Sequence, residues 1–198
     1  MAGASSPDPK RRNERSRRAI LEVALQLCKE RGYAKLTIEA IAAEAGVGKQ
    51  TIYRWWPSKG AVVAEAVLEE TLPRVRFTPT GDFERDLRLQ LRSIARVMRE
   101  AELGPRIAEL VGEAQLDPAL AERITHGVIR PLRELNRQHL SRAQEAGLVR
   151  ADLDLDVAAD MLFGPLWFRL LLSKAPLTNR YVDALVETVL TALRPPEG

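Results

Sequence analysis

The chain has 198 residues, 45% of them apolar and 29% charged, with a formal net charge of +3. That is enough to bury a sizeable core, but no apolar run reaches the roughly 18 to 20 residues of a membrane-spanning helix; the richest, Met161 to Leu172, is interrupted by Gly164, Pro165 and Arg169. The single cysteine, Cys28, excludes an internal disulfide and reads as a small buried hydrophobe in a reducing compartment.

Charge is unevenly spread. Residues 1–60 hold twelve Lys or Arg against six Asp or Glu, whereas residues 61–198 hold eighteen against twenty-one, so only the first third is suited to a polyanion. Met1 to Pro9 is rich in Ala, Ser, Gly and Pro without an apolar stretch. It is expected to open a disordered basic tail over residues 1–13 rather than a signal peptide, which places the protein in the cytoplasm. Arg11, Arg12, Arg15, Arg17 and Arg18 run from this tail into a first helix, where they are either solvated or placed to reach phosphates and the minor groove.

Thr37 is a natural cap for a helix with Ile38, Ile41, Ala42 and Ala45 on one face. Gly46 then permits the left-handed turn that ends it. A second helix, about Gly48 to Trp55, keeps Val47, Ile52 and Trp56 for the interior. Lys49, Gln50, Thr51, Tyr53 and Arg54 point elsewhere, and such side chains suit base edges and phosphates. Small Ala42 lets the two helices cross closely over a short turn. Pro57 and Ser58 restart the chain as a further helix, with Lys59 near an N-terminus where it and the backbone amides are placed to hold a phosphate. This is the pattern of a helix-turn-helix.

Residues from about Glu14 to Thr71 resemble the DNA-binding domain of TetR-type transcriptional regulators. The resemblance rests on Arg18 to Leu21, Gly32 and Tyr33, Leu36 to Ile38, Ile41 and Ala42, Ala45 to Val47, Thr51 to Tyr53, and Lys59. It implies DNA contacts from Thr37, Lys49, Gln50, Thr51, Tyr53, Trp55 and Lys59, with Tyr53 and Lys59 on phosphates. Trp56 matches an apolar core position.

From Thr71 and Leu72 onward, two prolines, Pro73 and Pro79, and Gly81 predict a connection between domains. Asp82 then caps a helix with Phe83, Leu87, Leu91, Ile94, Val97 and Met98 on one side. Arg85, Arg88, Arg92, Arg96 and Arg99 lie largely on the other, read as a solvated face over a nucleic-acid stripe. A short helix from about Pro105 to Ala114 follows. Asp117 and Pro118 start a long one toward Ala146, ended by Gly147, with a kink or break expected between Gly127 and Pro131.

The last helix, about Thr178 to Arg194, carries one apolar stripe through Val182, Leu185, Val186, Val189, Leu190 and Leu193 and stops at Pro195. The helix before it, about Asp156 to Ser173, is apolar over much more of its circumference, which requires two buried sides. In a chain this short the second side suggests a second subunit. Phe163 to Leu172 with Ala175 to Leu177 resembles the C-terminal domain of an actinobacterial-type subgroup of the same family, and the resemblance implies that the last two helices pair with their equivalents in a dimer. Met161, Leu162, Pro165, Phe168, Leu172, Val182, Leu185, Val186, Val189 and Leu193 are the expected interface.

His126 and His139 are the only histidines, thirteen residues apart in a helix and facing nearly opposite ways. Neither they nor Glu122 beside His126 make a metal set, and no phosphate loop, nucleophile elbow or paired carboxylates is present. No enzyme, metal or cofactor is expected. The expectation is an all-α protein of about nine helices: a three-helix helix-turn-helix domain over residues 14–74 and a larger helical domain over residues 75–198. It binds double-stranded DNA as a homodimer at a palindromic operator and acts as a repressor released by a small apolar effector, for which Leu91, Ile94, Met98, Ile107, Leu110, Phe163 and Trp167 are candidate lining or plain core. The alternative is an architectural protein or activator without an effector.

Overall fold

The computed structural model describes residues 9–75 and 79–195. Among them every regular element is helical: α1 (Pro9–Arg31), α2 (Ile38–Glu44), α3 (Lys49–Tyr53), α4 (Lys59–Val75), α5 (Phe83–Arg99), α6 (Leu103–Ala114), α7 (Pro118–Ile124), α8 (Arg130–Glu145), α9 (Leu155–Phe168) and α10 (Asn179–Leu193). A π-helical turn, Thr125–Ile129, joins α7 directly to α8, so these two are one interrupted helix and the described count matches the nine expected; a second π turn, Arg169–Ser173, extends α9. The chain divides into two compact units between Glu69 and Glu70, inside α4 and about one turn before the boundary read from composition.

In the N-terminal unit, Ile20, Leu36, Ile41, Ile52 and Trp56 are fully enclosed, each contributing about 1.5–3 kcal/mol by leaving water. Cys28 is buried among them and forms no disulfide. Two helix limits differ from expectation. α1 begins at Pro9, so residues 9–13 are helical and not tail; proline suits a first turn, where its missing N–H is not needed, and the Lys and Arg that follow favour helix. The rest of the expected tail, residues 1–8, lies outside the described residues. α4 continues through Pro73 to Val75, because a proline in the last turn removes only one backbone bond before the helix ends. Of the expected connection, residues 76–78 lie outside the described residues.

The C-terminal unit has a core of Leu87, Leu91, Leu140, Leu162, Leu166, Val182, Val186 and Leu193 from α5, α8, α9 and α10. Two of its helices start on the expected caps, Asp82 accepting from Arg85 N at 3.0 Å and Asp117 from Ala119 N at 3.0 Å, and Thr178, read as the start of the last helix, caps it by accepting from Tyr181 N at 3.1 Å. The expected break before Pro131 takes a definite form. Arg130 N–H bonds Thr125 O, five residues back, and this wider turn accommodates a ring that has no N–H and crowds the preceding carbonyl. At the α5–α6 corner a Cβ on Gly104 would stand 2.2 Å from Met98 O, so no other residue fits without a shift.

The arginines of α5 do more than face water. Arg92 holds Asp183 of α10 through Nε at 2.8 Å and Nη2 at 2.5 Å, and Arg88 lies 3.5 Å from Glu187. The bond from Arg92, assisted by its charge, lowers the Asp183 pKa. Arg99 reaches Leu177 O at 2.7 Å. This side of α5 is therefore partly a clamp on α10 and its approach.

Candidate nucleic-acid interface

Thr37 sits in extended backbone and its Oγ1 accepts from Ala40 N at 3.1 Å, fixing the start of α2. Gly46, at φ +64°, turns the chain, and Val47 N bonds Ala42 O at 3.0 Å to close the helix end. α3 follows with Ile52 as its buried anchor. Trp56, also enclosed, donates its indole N–H to Glu65 Oε2 at 2.7 Å, which ties the exit of α3 to α4.

What remains outward on α3 is polar and aromatic. Lys49, Gln50 and Arg54 are exposed, Thr51 is half-buried, and Tyr53 and Trp55 are 47% and 38% exposed. Arg54 lies over the Trp55 ring at 6.0 Å. Lys49 Nζ pairs with Glu39 at 3.1 Å; the Glu39 pKa is lowered by a hydrogen bond to its own backbone and then by Lys49. Both partners are well exposed, so this pair is weak and releases Lys49 readily to a phosphate or base. Lys59 is half-buried, with Nζ 3.2 Å from Tyr33 O and 4.6 Å from the Tyr33 ring, beside the α4 N-terminus that Ser58 caps at Ala61 N.

Arg17 is placed differently from the basic arm in which it was read. Its guanidinium bonds Glu65 and Glu69 of α4 as well as Glu14, and its side chain is only 19% exposed. Partial burial opposes the charge, but the bonds to Glu69 and Glu65 outweigh it and raise the Arg17 pKa. Through these bonds Arg17 brackets α1 to α4 inside the domain. The sequence reading missed Glu65, which joins Arg17 and Trp56. The available signal was a lone acid in the otherwise apolar run from Ala61 to Val67.

In the C-terminal unit the residues read as an effector lining are not gathered. Leu91, Met98 and Leu110 are buried, Ile94, Ile107 and Phe163 are half-buried, and Trp167 is exposed. Only Ile94 lines the cavity of about 360 Å³ that opens beside Leu72, Pro131 and Asn136. The expected dimer residues also divide. Leu162, Val182, Val186, Val189 and Leu193 are enclosed in the chain's own core and offer no surface to a partner, because the stripe of α10 is consumed by α5 and α9. Pro165 and Leu185 are half-buried, while Met161, Phe168 and Leu172 are exposed. His126 bonds Glu122 O at 2.9 Å and Arg130 Nη1 at 2.9 Å. No helix among the described residues is long and apolar enough to cross a membrane.

A capped helix, a glycine turn and a short anchored helix with a basic, aromatic outer face define a helix-turn-helix DNA-binding regulator of transcription. Comparison with known proteins makes this specific. Residues 20–66 match the profile of the bacterial regulatory proteins of the tetR family, and residues 77–189 match the Tetracyclin repressor-like C-terminal domain. The chain is 34% identical over 175 residues to the uncharacterized HTH-type transcriptional regulator YdeS of Bacillus subtilis, covering 88% of each. It is 28% identical over 187 residues to the DNA-binding transcriptional repressor TetR of Mycobacteroides abscessus, covering 92% of this chain and 95% of that one. The solved structure of the TetR family transcription regulator SCO0332 superposes with a TM-score of 0.77 at 36% identity, covering 91% of this chain and 99% of that one. The chain belongs to the TetR family of transcriptional regulators.

Proposed function

We propose that this regulator is a cytoplasmic dimeric repressor that reads a palindromic operator and leaves it when a small apolar effector binds the C-terminal unit. The observation that carries the reading is the outer face of α3 and its exit, where Lys49, Gln50, Tyr53 and Trp55 stand exposed while Ile52 and Trp56 pin the chain from behind. Lys49 and Gln50 read base edges; Tyr53 and Lys59 hold phosphates. Repression is supported by the similarity to the repressor of Mycobacteroides abscessus.

Dimerisation is supported by an apolar stripe on α9 and its π turn. Val157, Met161, Phe168 and Leu172 are exposed, the last two at 56% and 72%, with Trp167 alongside. A contiguous apolar face of this kind is a protein-contact surface in a soluble chain. A two-fold pair presents recognition helices about 34–36 Å apart, or one further turn, to successive major grooves. Nuclease footprinting of the bound DNA tests this: two protected half-sites related by a dyad are expected. A footprint without dyad symmetry, or even protection of unrelated DNA, refutes it in favour of an architectural protein.

A further inference from the structure

We propose that the C-terminal cavity binds an uncharged, mainly apolar small molecule whose polar end carries a hydrogen-bond acceptor beside a donor, as a carboxamide or lactam does; its regulatory meaning rests on the effector reading above. The cavity, about 360 Å³, falls within the range of about 300–1,000 Å³ typical of small-ligand sites. It opens where the π turn and Pro131 displace the start of α8, since Gly127 and Pro131 both border it. Leu72, Val75, Ile94 and Leu135 supply apolar wall.

Two enclosed amides interrupt that wall. Gln90 and Asn136 are 4% and 8% exposed, and Gln90 Nε2 donates to Asn136 Oδ1 at 2.7 Å. That bond leaves the Asn136 amide N–H groups and the Gln90 carbonyl without a partner among the described residues. These two groups are not cut off from solvent, and both residues line the one cavity. Together they complement an amide edge.

The charges nearby favour a neutral occupant. His139 is half-buried; burial pushes its pKa down, Asp86 opposes this and Arg142 adds to it, so the ring is neutral at physiological pH. Asp86 is committed to Thr80 and Gly81. Arg142, the one Lys, Arg, Asp or Glu in the lining, is exposed to solvent, and the enclosed lining groups Gln90 and Asn136 are uncharged.

The test uses the full-length chain and three probes of matched size: para-ethylbenzamide, para-ethylbenzoate and para-ethyltoluene, with affinities from saturation-transfer NMR titrations. The benzamide is expected to bind about tenfold tighter than either other probe, the scale of one or two net hydrogen bonds. In the double variant Gln90→Leu with Asn136→Leu, which removes both halves of a bonded pair and so strands neither, that preference is expected to vanish. Leu135→Trp fills the cavity from an exposed position and is expected to remove binding of all three with the thermal midpoint unchanged. A benzoate that binds tightest, or a benzamide preference that survives the double variant, overturns the proposal. Absence of binding by every probe overturns it too. Operator titrations with the same probes separate the two readings: benzamide binding through the amide pair with no change in operator affinity keeps the site and ends the effector role. Release by other compounds, with the amide pair indifferent, does the reverse.

Discussion

In the N-terminal unit the inward-reaching polar groups are engaged with one another: Glu65 takes both the Trp56 indole and the Arg17 guanidinium, and Thr37 caps α2. In the C-terminal unit Gln90 and Asn136 use one bond between them, and the buried side-chain atoms lacking any partner among the described residues, Glu70 Oε2 and Arg106 Nη1, both belong to this unit. Its helices are interrupted by π turns at Thr125–Ile129 and Arg169–Ser173. The first unit holds a surface in one geometry. The second keeps polar groups in reserve and departs from regular helix, features found at sites that bind and switch.

The strongest test of that contrast is Trp56→Ala. It removes an enclosed aromatic and one of the two partners of the Glu65 carboxylate, and should cost about 3–5 kcal/mol, a large share of a small protein's stability. Denaturant unfolding reads the loss, and operator binding should fall with it; a loss below 1 kcal/mol would mean the bracket is not structural.

Glu65→Leu is next, at about 1–2 kcal/mol, because it leaves a buried indole N–H without its acceptor and takes away one of the three carboxylates around Arg17. Gln90→Leu with Asn136→Leu should be nearly neutral by the same measurement, since neither amide is left behind. If that double variant costs as much as Glu65→Leu, the two units use their polar groups alike and the contrast fails.

How much of this was legible in the sequence follows from what each signal depends on. Thr37, Gly46, Asp82, Asp117 and Gly147 act through bonds within a few residues, so they mark helix ends in any context. Ile52 and Trp56 follow from periodicity. The Arg17 bracket was not legible because its partners Glu65 and Glu69 lie about fifty residues away, and a basic run looks the same whether solvated, DNA-facing or bracketed. The stripe of α10 was assigned to a partner subunit because periodicity gives which face is buried but not against what; α5 and α9 already cover it. The cavity was unreadable, since it depends on how a widened turn before Pro131 opens space between elements.

Within the N-terminal unit, the salt dependence of operator binding separates Lys59 from Arg17. Lys59→Ala should lower the slope of log affinity against log salt by about one, the signature of one lost phosphate contact. Arg17→Ala should weaken stability and leave that slope unchanged. A slope lowered equally by both would restore Arg17 to the basic arm and remove it from the bracket.

The smallest expected effect is a pH dependence confined to the C-terminal unit. His139 is held below the usual histidine range chiefly by burial, with Arg142 adding to the effect and Asp86 opposing it. As pH falls through that range the unfolded chain takes the proton first, so stability declines from its neutral value until the folded pKa is passed. Asp86 behaves in the same sense but lower. Burial opposes its charge, yet the bonds from Thr80 and Gly81 outweigh this and lower its pKa, so its contribution is intact above the ordinary carboxylate range and is lost only as pH drops through the folded value beneath it. His139→Leu should therefore flatten the first decline, between neutral and mildly acidic pH, and leave the second. Denaturant midpoints measured across that interval decide the matter: an unchanged slope in the variant would assign the first decline to another group.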